Sequence, residues 1–203
     1  MKKVWPLFVK SWVMFKHFFK FAFALLLIAG VCEAKQVPDA ELRVLLTKTV
    51  SESSSFYDRF DAEVWLVDMS GRLKRYIKDP EQRLELLKRV HAEAKRAGIE
   101  PELVMSLIHV ESAFQRFAIS SVGAQGLMQV MPFWKNEIGR PDDNLTIIET
   151  NLRYGCTILK HYIDKEKGNL IRALARYNGS LGKIKYPEKV LRFWQNYWFV
   201  NHQ

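Results

Sequence analysis

One carboxylate stands where the surrounding pattern calls for an aliphatic side chain. Pro101 opens a predicted helix over 101–113, and Leu103, Val104, Leu107 and Ile108 mark its apolar face. Glu111 lies four residues beyond Leu107, seven beyond Val104 and eight beyond Leu103, so it falls on that same face. Burial disfavours the charged form of a carboxyl group and pushes its pKa upward. An acid still protonated near neutral pH is what general-acid chemistry needs. Spacing alone leaves a second reading open, a salt-bridged glutamate or one at the helix end that bends out to water.

The segment that follows is unusual in its residue types. Ser120 to Pro132 mixes glycines, amides and methionines. Gly123 and Gly126 let the backbone approach another surface closely. Gln129 offers a hydrogen-bonding amide and Met131 an adaptable apolar wall, both suited to lining a cleft. Ordinary core packing would also explain the methionines. Further on, Ala175-Arg176-Tyr177-Asn178-Gly179 places an aromatic and an amide at a predicted helix end. Tyr177 falls on the apolar side of that helix with Leu170 and Ala173, and its phenol needs a partner if buried.

Together these residues carry a resemblance. Glu111-Ser112, Ser120, and Gly123-Ala124-x-Gly126-Leu127-Met128-Gln129-x-Met131-Pro132 resemble the catalytic signature of the soluble lytic transglycosylase domain family. Asn151-Leu152 with Tyr154-Gly155, then Ala175 to Gly179, follow in the family's order, so the resemblance covers about 97–185. It implies an all-α, lysozyme-like (goose-type) helical domain that cleaves the glycan strands of bacterial peptidoglycan. Glu111 is then the single catalytic acid and base, with Ser112 supporting its helix. Ser120, Gly126, Gln129, Met131, Tyr177 and Asn178 match substrate-binding positions. Many relatives have Ala-Gly after the position of Asn178; here Gly179-Ser180 follows, which bears on the shape of that loop. The resemblance further implies a lyase reaction, in which the C6 hydroxyl of N-acetylmuramic acid attacks C1 and closes a 1,6-anhydro ring.

Most glycosidases need two carboxyl groups, whereas a single acid suffices where the substrate supplies its own nucleophile. Asp142, Asp143 and Glu149 are the nearest later acids, and the first two sit in a Pro-Asp-Asp-Asn turn suited to solvation and helix entry. Two other outcomes share the pattern: a hydrolytic muramidase that activates water, and a non-catalytic wall-binding envelope assembly protein. His91, His109 and His161 lack metal-ligand spacing, and no phosphate loop, dinucleotide fingerprint or serine elbow is present. No metal and no cofactor are implied.

The elements that must position these groups read almost entirely as helices, with no sustained two-residue alternation. Helices are predicted at 38–50, 58–77, 79–97, 101–113, 124–131, 147–166, 170–178 and 187–199. Phe60, Val64, Met69, Leu73 and Ile77 form the stripe of the second. Asp79-Pro80 opens the third and Gly98 stops it. A boundary near residue 78 separates an N-terminal helical extension, 35–78, from a catalytic domain at 79–203.

Residues 1–34 read as an address. Five lysines and one acid surround an apolar run from Phe21 to Cys32, which is short of the ~20 residues that cross a bilayer. The pattern fits a cleaved signal peptide and a periplasmic product, or else an uncleaved membrane anchor. Cys32 suggests lipid attachment, though Val31 before it is bulkier than that chemistry accepts. The 203-residue chain carries a formal charge of +9, of which the leader supplies nearly half. The mild excess that remains suits an anionic polymer and gives no case for nucleic acid. Two cysteines exclude a disulfide-dense scaffold, and Cys156 reads as a small buried hydrophobe.

Overall fold

The computed structural model describes residues 58–200 together with Val44, Leu46, Thr49, Ser55 and Phe56. The leader, its cleavage point and most of the helix expected at 38–50 lie outside the described residues. Among the described residues from 58 onward there are seven α-helices and one π-helical turn: α1 (Arg59–Leu73), α2 (Pro80–Ala97), α3 (Pro101–Ser112), α4 (Trp134–Ile138), α5 (Ile148–Lys165), α6 (Leu170–Tyr177), α7 (Lys185–Phe193) and the turn Trp194–Trp198. Among the described residues the only β pairing is two isolated bridges, Ile119 with Gln125 and Gln125 with Val130. The all-α expectation therefore holds.

Local signals start and stop the helices where the sequence is explicit. The Asp79 carboxylate accepts the Gln82 amide at 3.0 Å, Pro80 occupies the first turn, and Gly98 ends α2 in the left-handed conformation. Asp58 caps α1 through the amides of Phe60 and Asp61. The α1 stripe differs from expectation. Phe60 and Val64 are exposed, while Ala62, Trp65, Leu66, Met69 and Leu73 are buried. Both sets satisfy helical spacing; the larger payload of Trp65 and Leu66 decides which face goes inward.

α3 is the centre of the domain. Leu103 to Ile108 are all buried, as expected of a helix covered on every side. It packs against α2, α7 and the π-helical turn, while α5 spans α2 and α6. The core is continuous from Trp65 and Leu73 of α1 through Leu87 and Val90 of α2 to Leu107, Leu159, Val190 and Trp198. Packing thus crosses position 78. Arg83 is buried there, donating to the Ser70 hydroxyl at 3.0 Å and to the carbonyls of Ile77 and Lys78 at 3.0 and 2.7 Å, which closes the end of α1. Among the described residues no helix is long and apolar enough to cross a membrane.

The helix expected at 124–131 is absent. Gly126 has φ +75° and Gln129 φ +48°, so the chain folds back on itself in linked turns. A Cβ on Gly126 would lie 2.3 Å from the Asn151 amide nitrogen and 2.5 Å from the Leu145 carbonyl oxygen. That close approach, more than propensity, dictates the conformation.

Candidate active site

α3 ends at Ser112, and Ala113 turns the chain with φ +49°. The abrupt stop leaves Glu111 in the last helical turn, half-buried at the edge of the core. Ser112 makes the stop rigid: its hydroxyl donates to the Leu127 carbonyl at 2.7 Å and lies 3.2 Å from the Ile108 carbonyl of its own helix. The helix end and the 120–132 loop are therefore one unit.

Glu111 has a partner that helical periodicity does not reveal. The Tyr186 hydroxyl, from the first turn of α7, donates to its carboxylate oxygen. Burial pushes the Glu111 carboxyl up to about 7. The Tyr186 hydrogen bond and the positive charge of Lys189, one turn further along α7, oppose that rise without cancelling it. Tyr186 in turn is raised well above the ordinary phenol value by burial and by the neighbouring Glu111 charge, so it stays a donor.

The remaining expected residues are tied into the loop backbone, and Tyr177 among them feels the Glu111 charge. The Tyr177 hydroxyl donates to the Met128 carbonyl at 2.8 Å, and burial followed by the Glu111 charge raises its pKa well above the usual range. Asn151, 1% exposed, accepts the Met128 amide through Oδ1 at 2.8 Å and donates to the Gln125 and Leu145 carbonyls, each at 2.8 Å. The Gln129 side-chain amide donates to the Ala118 and Gly126 carbonyls at 3.2 and 3.0 Å. The Ser120 hydroxyl accepts the Ala124 amide at 3.0 Å. These bonds shape the loop and leave the Ser120 proton and the Gln129 amide oxygen unused by them. Gly126 has the packing reason already given. Met131 is half-buried, and Asn178 is exposed, with its amide 3.2 Å from the Ser180 hydroxyl. In the sequence Asn151 is one residue of a motif; its function as the loop's anchor is legible only in three dimensions.

The other acids that the sequence singled out are engaged elsewhere. Asp143 accepts the Tyr154 hydroxyl and the Arg140 amide, and the Tyr154 bond is the main cause of a lowered pKa. Glu149 pairs with Arg89. Asp142 is exposed. Cys156 is buried in α5, where desolvation pushes the thiol up to about 12 and makes it inert.

A helical domain that ends its central helix on one half-buried carboxyl, titrating near neutrality beside a phenol donor, has the equipment of a general-acid enzyme. The family model of the transglycosylase SLT domain matches residues 88–192, and the chain belongs to that family. With membership comes the lysozyme-like class of its helices. The chain is similar to "Membrane-bound lytic murein transglycosylase C" of Actinobacillus pleuropneumoniae serotype 5b (strain L20), with 56% identity over 39 residues, 19% of this chain and 11% of that protein. It is 28% identical over 110 residues to "Transglycosylase" of Enterobacteria phage PRD1, covering 51% of this chain and 40% of that protein. A solved inactive mutant of lytic transglycosylase Slt from Pseudomonas aeruginosa aligns over 71% of this chain and 31% of its own, at 23% identity and a TM-score of 0.44. The matches thus span 11% and 40% of the length of these two curated relatives.

Proposed function

We propose that the protein is a peptidoglycan lytic transglycosylase that cleaves the bond between N-acetylmuramic acid and N-acetylglucosamine and leaves 1,6-anhydro ends. The observation that carries this reading is the Glu111 carboxyl, held at about 7 by burial and hydrogen-bonded by Tyr186 at the end of α3. Protonated, it donates to the leaving glycosidic oxygen. The N-acetyl oxygen of the substrate stabilises the developing positive carbon, as in glycosidases that lack a second carboxylate. The Glu111 carboxylate then takes the proton of the C6 hydroxyl of the same sugar, and that oxygen closes on C1. The attacking group is already tethered, so the step gains from proximity and consumes no water. The engagement of Asp143 with Tyr154 and of Glu149 with Arg89 supports a one-carboxylate mechanism.

Ser120, Gly126, Gln129 and Met131 then present one wall of the glycan site and Tyr177 and Asn178 the other, with Ser112 holding the helix end. The substrate places the protein in the cell envelope, where it serves wall remodelling; export by residues 1–34, cleaved or retained as an anchor, fits that location. Mass spectrometry of muropeptides released from purified sacculi tests the reaction. Products one water lighter than those of a muramidase are expected; hydrated reducing ends would replace the lyase by a hydrolase, and no release would replace it by a wall-binding protein.

The phenol gives a second check. Tyr186→Phe removes a hydrogen bond that favours the carboxylate, so the Glu111 pKa rises further. The alkaline limb of the pH–rate profile should move upward by about one pH unit, because the acid stays protonated longer. A limb that does not move would show that the phenol does not tune this acid.

A further inference from the structure

α1 and the π-helical turn both fall outside residues 88–192, yet they pack on each other, the turn packs on α3, and the Trp65 indole of α1 donates to the Glu102 carboxylate of α3 at 2.6 Å. Arg72, in the last turn of α1, donates to the Tyr197 carbonyl at 2.5 Å and to the Phe199 carbonyl at 3.3 Å. Tyr197 returns its hydroxyl to the Arg72 carbonyl at 2.9 Å. The π-helical turn and the turn that follows α1 then close on one ring. Tyr76 Oη lies 2.7 Å from His109 Nε2, and Trp198 Nε1 lies 3.2 Å from His109 Nδ1.

The chemistry of the partners fixes the proton. An indole N–H can only donate, so Nδ1 accepts. Burial, helped by the charges of Arg75 and Lys189, holds the imidazole down at about 4, so at neutral pH the ring has one proton. That proton sits on Nε2 and goes to the Tyr76 oxygen. The ring also packs against Phe193, with centroids 3.9 Å apart.

His109 precedes Glu111 by two residues in the same helical turn, so the orientation of its ring constrains the roll of that turn. The Trp198 that grips it lies on the direct continuation of α7, the helix that delivers Tyr186 to Glu111. α7 is also tied to α3 by the Ser106 hydroxyl, which donates to the Val190 carbonyl. An aliphatic side chain would fill the same space; a ring bonded at both nitrogens also fixes direction. We propose that His109 is a positioning residue for Glu111, and that the clasp of Tyr76 and Trp198 upon it sets the register of α3 against α7 and so the Glu111–Tyr186 hydrogen bond.

This rests on the reading of Glu111 above, and the test separates the two. Digestion of purified sacculi by the full chain is followed across pH for wild type, Tyr76→Phe, His109→Leu, His109→Gln and Glu111→Gln, each well below its melting temperature. Tyr76→Phe and His109→Leu should lower kcat about tenfold or more with KM little changed, as expected for a slightly misplaced acid. Their alkaline limb should move in the direction expected for Tyr186→Phe. His109→Gln, whose amide keeps one of the two bonds, should recover part of the loss. Lower melting temperatures with unchanged kcat and an unmoved limb would overturn the clasp. If His109→Leu does not fold, Tyr76→Phe decides, since it deletes one oxygen and keeps the ring. Cleavage that survives Glu111→Gln would overturn the site reading and the clasp with it. An inactive Glu111→Gln beside unaltered Tyr76→Phe kinetics overturns the clasp alone.

Discussion

Glu111→Gln should abolish cleavage of peptidoglycan and, above neutral pH, make the protein more stable. The amide has nearly the shape of the neutral acid and can still accept the Tyr186 hydroxyl, so the fold is kept. It cannot donate the proton that the leaving oxygen requires, and a loss of about a thousandfold or more is expected. The stability change follows from the direction of the pKa shift. In the unfolded chain Glu111 titrates near its ordinary value, whereas burial raises it to about 7 in the native state. Below the unfolded value both states hold the proton and the carboxyl costs nothing. As pH rises from there, the unfolded chain releases its proton first, so native stability falls, and the loss is complete once pH passes the folded value. The penalty is at most about 3–4 kcal/mol. The substitution removes it. A higher melting temperature for Glu111→Gln at about pH 8, and little difference at about pH 4, is the expected pair of thermal scans. An equal gain at both values would mean that the benefit is packing and that Glu111 is not held protonated.

The acid itself was legible because helical periodicity is a local property. Four aliphatic residues define a face, and a carboxyl on that face is conspicuous without knowledge of what covers it. The same local logic gave the start of α2 at Asp79-Pro80, its end at Gly98, and the helices at 148–165 and 170–177 to within a residue or two. It could not give Tyr186, which meets Glu111 across 75 positions and whose approach depends on how α7 crosses α3. Nor could it choose between the two stripes of α1, since spacing says which residues share a face and not which face another helix will cover. The loop at 124–131 misled for a related reason. Its glycine, leucine and methionines suit a helix, but Gly126 has no room for a side chain beside Asn151, and Gln129 adopts a left-handed conformation held by its own side chain. A contact made from a distant helix overrode local preference.

That contact supplies the other large effect. Asn151→Ala should destabilise the domain by about 2–4 kcal/mol, because one side chain satisfies three backbone groups at once, two of them buried. Without it the Met128 amide and the Leu145 carbonyl lose partners where the chain is 0% and 1% exposed, and the Gln125 carbonyl loses another. No other amino acid presents one acceptor and two donors from so short a stem, and Asn151→Asp would turn both donations into repulsion between oxygens. The damage extends to the site, since Met128 accepts the Tyr177 hydroxyl and Leu127 accepts that of Ser112. Activity measured on molecules still folded should therefore fall as well. Gly126→Ala should also destabilise strongly, as its new methyl would overlap the Asn151 amide, the Leu145 carbonyl and a positive φ. The two effects share the Asn151 amide as a cause, so they should not add. Urea unfolding of the double variant should show a loss smaller than the sum of the single losses, by about 1 kcal/mol or more. A strictly additive double variant would mean that the side chain of Asn151 is not what confines Gly126, and the account of how α5 shapes the loop beside Glu111 would fail at that point.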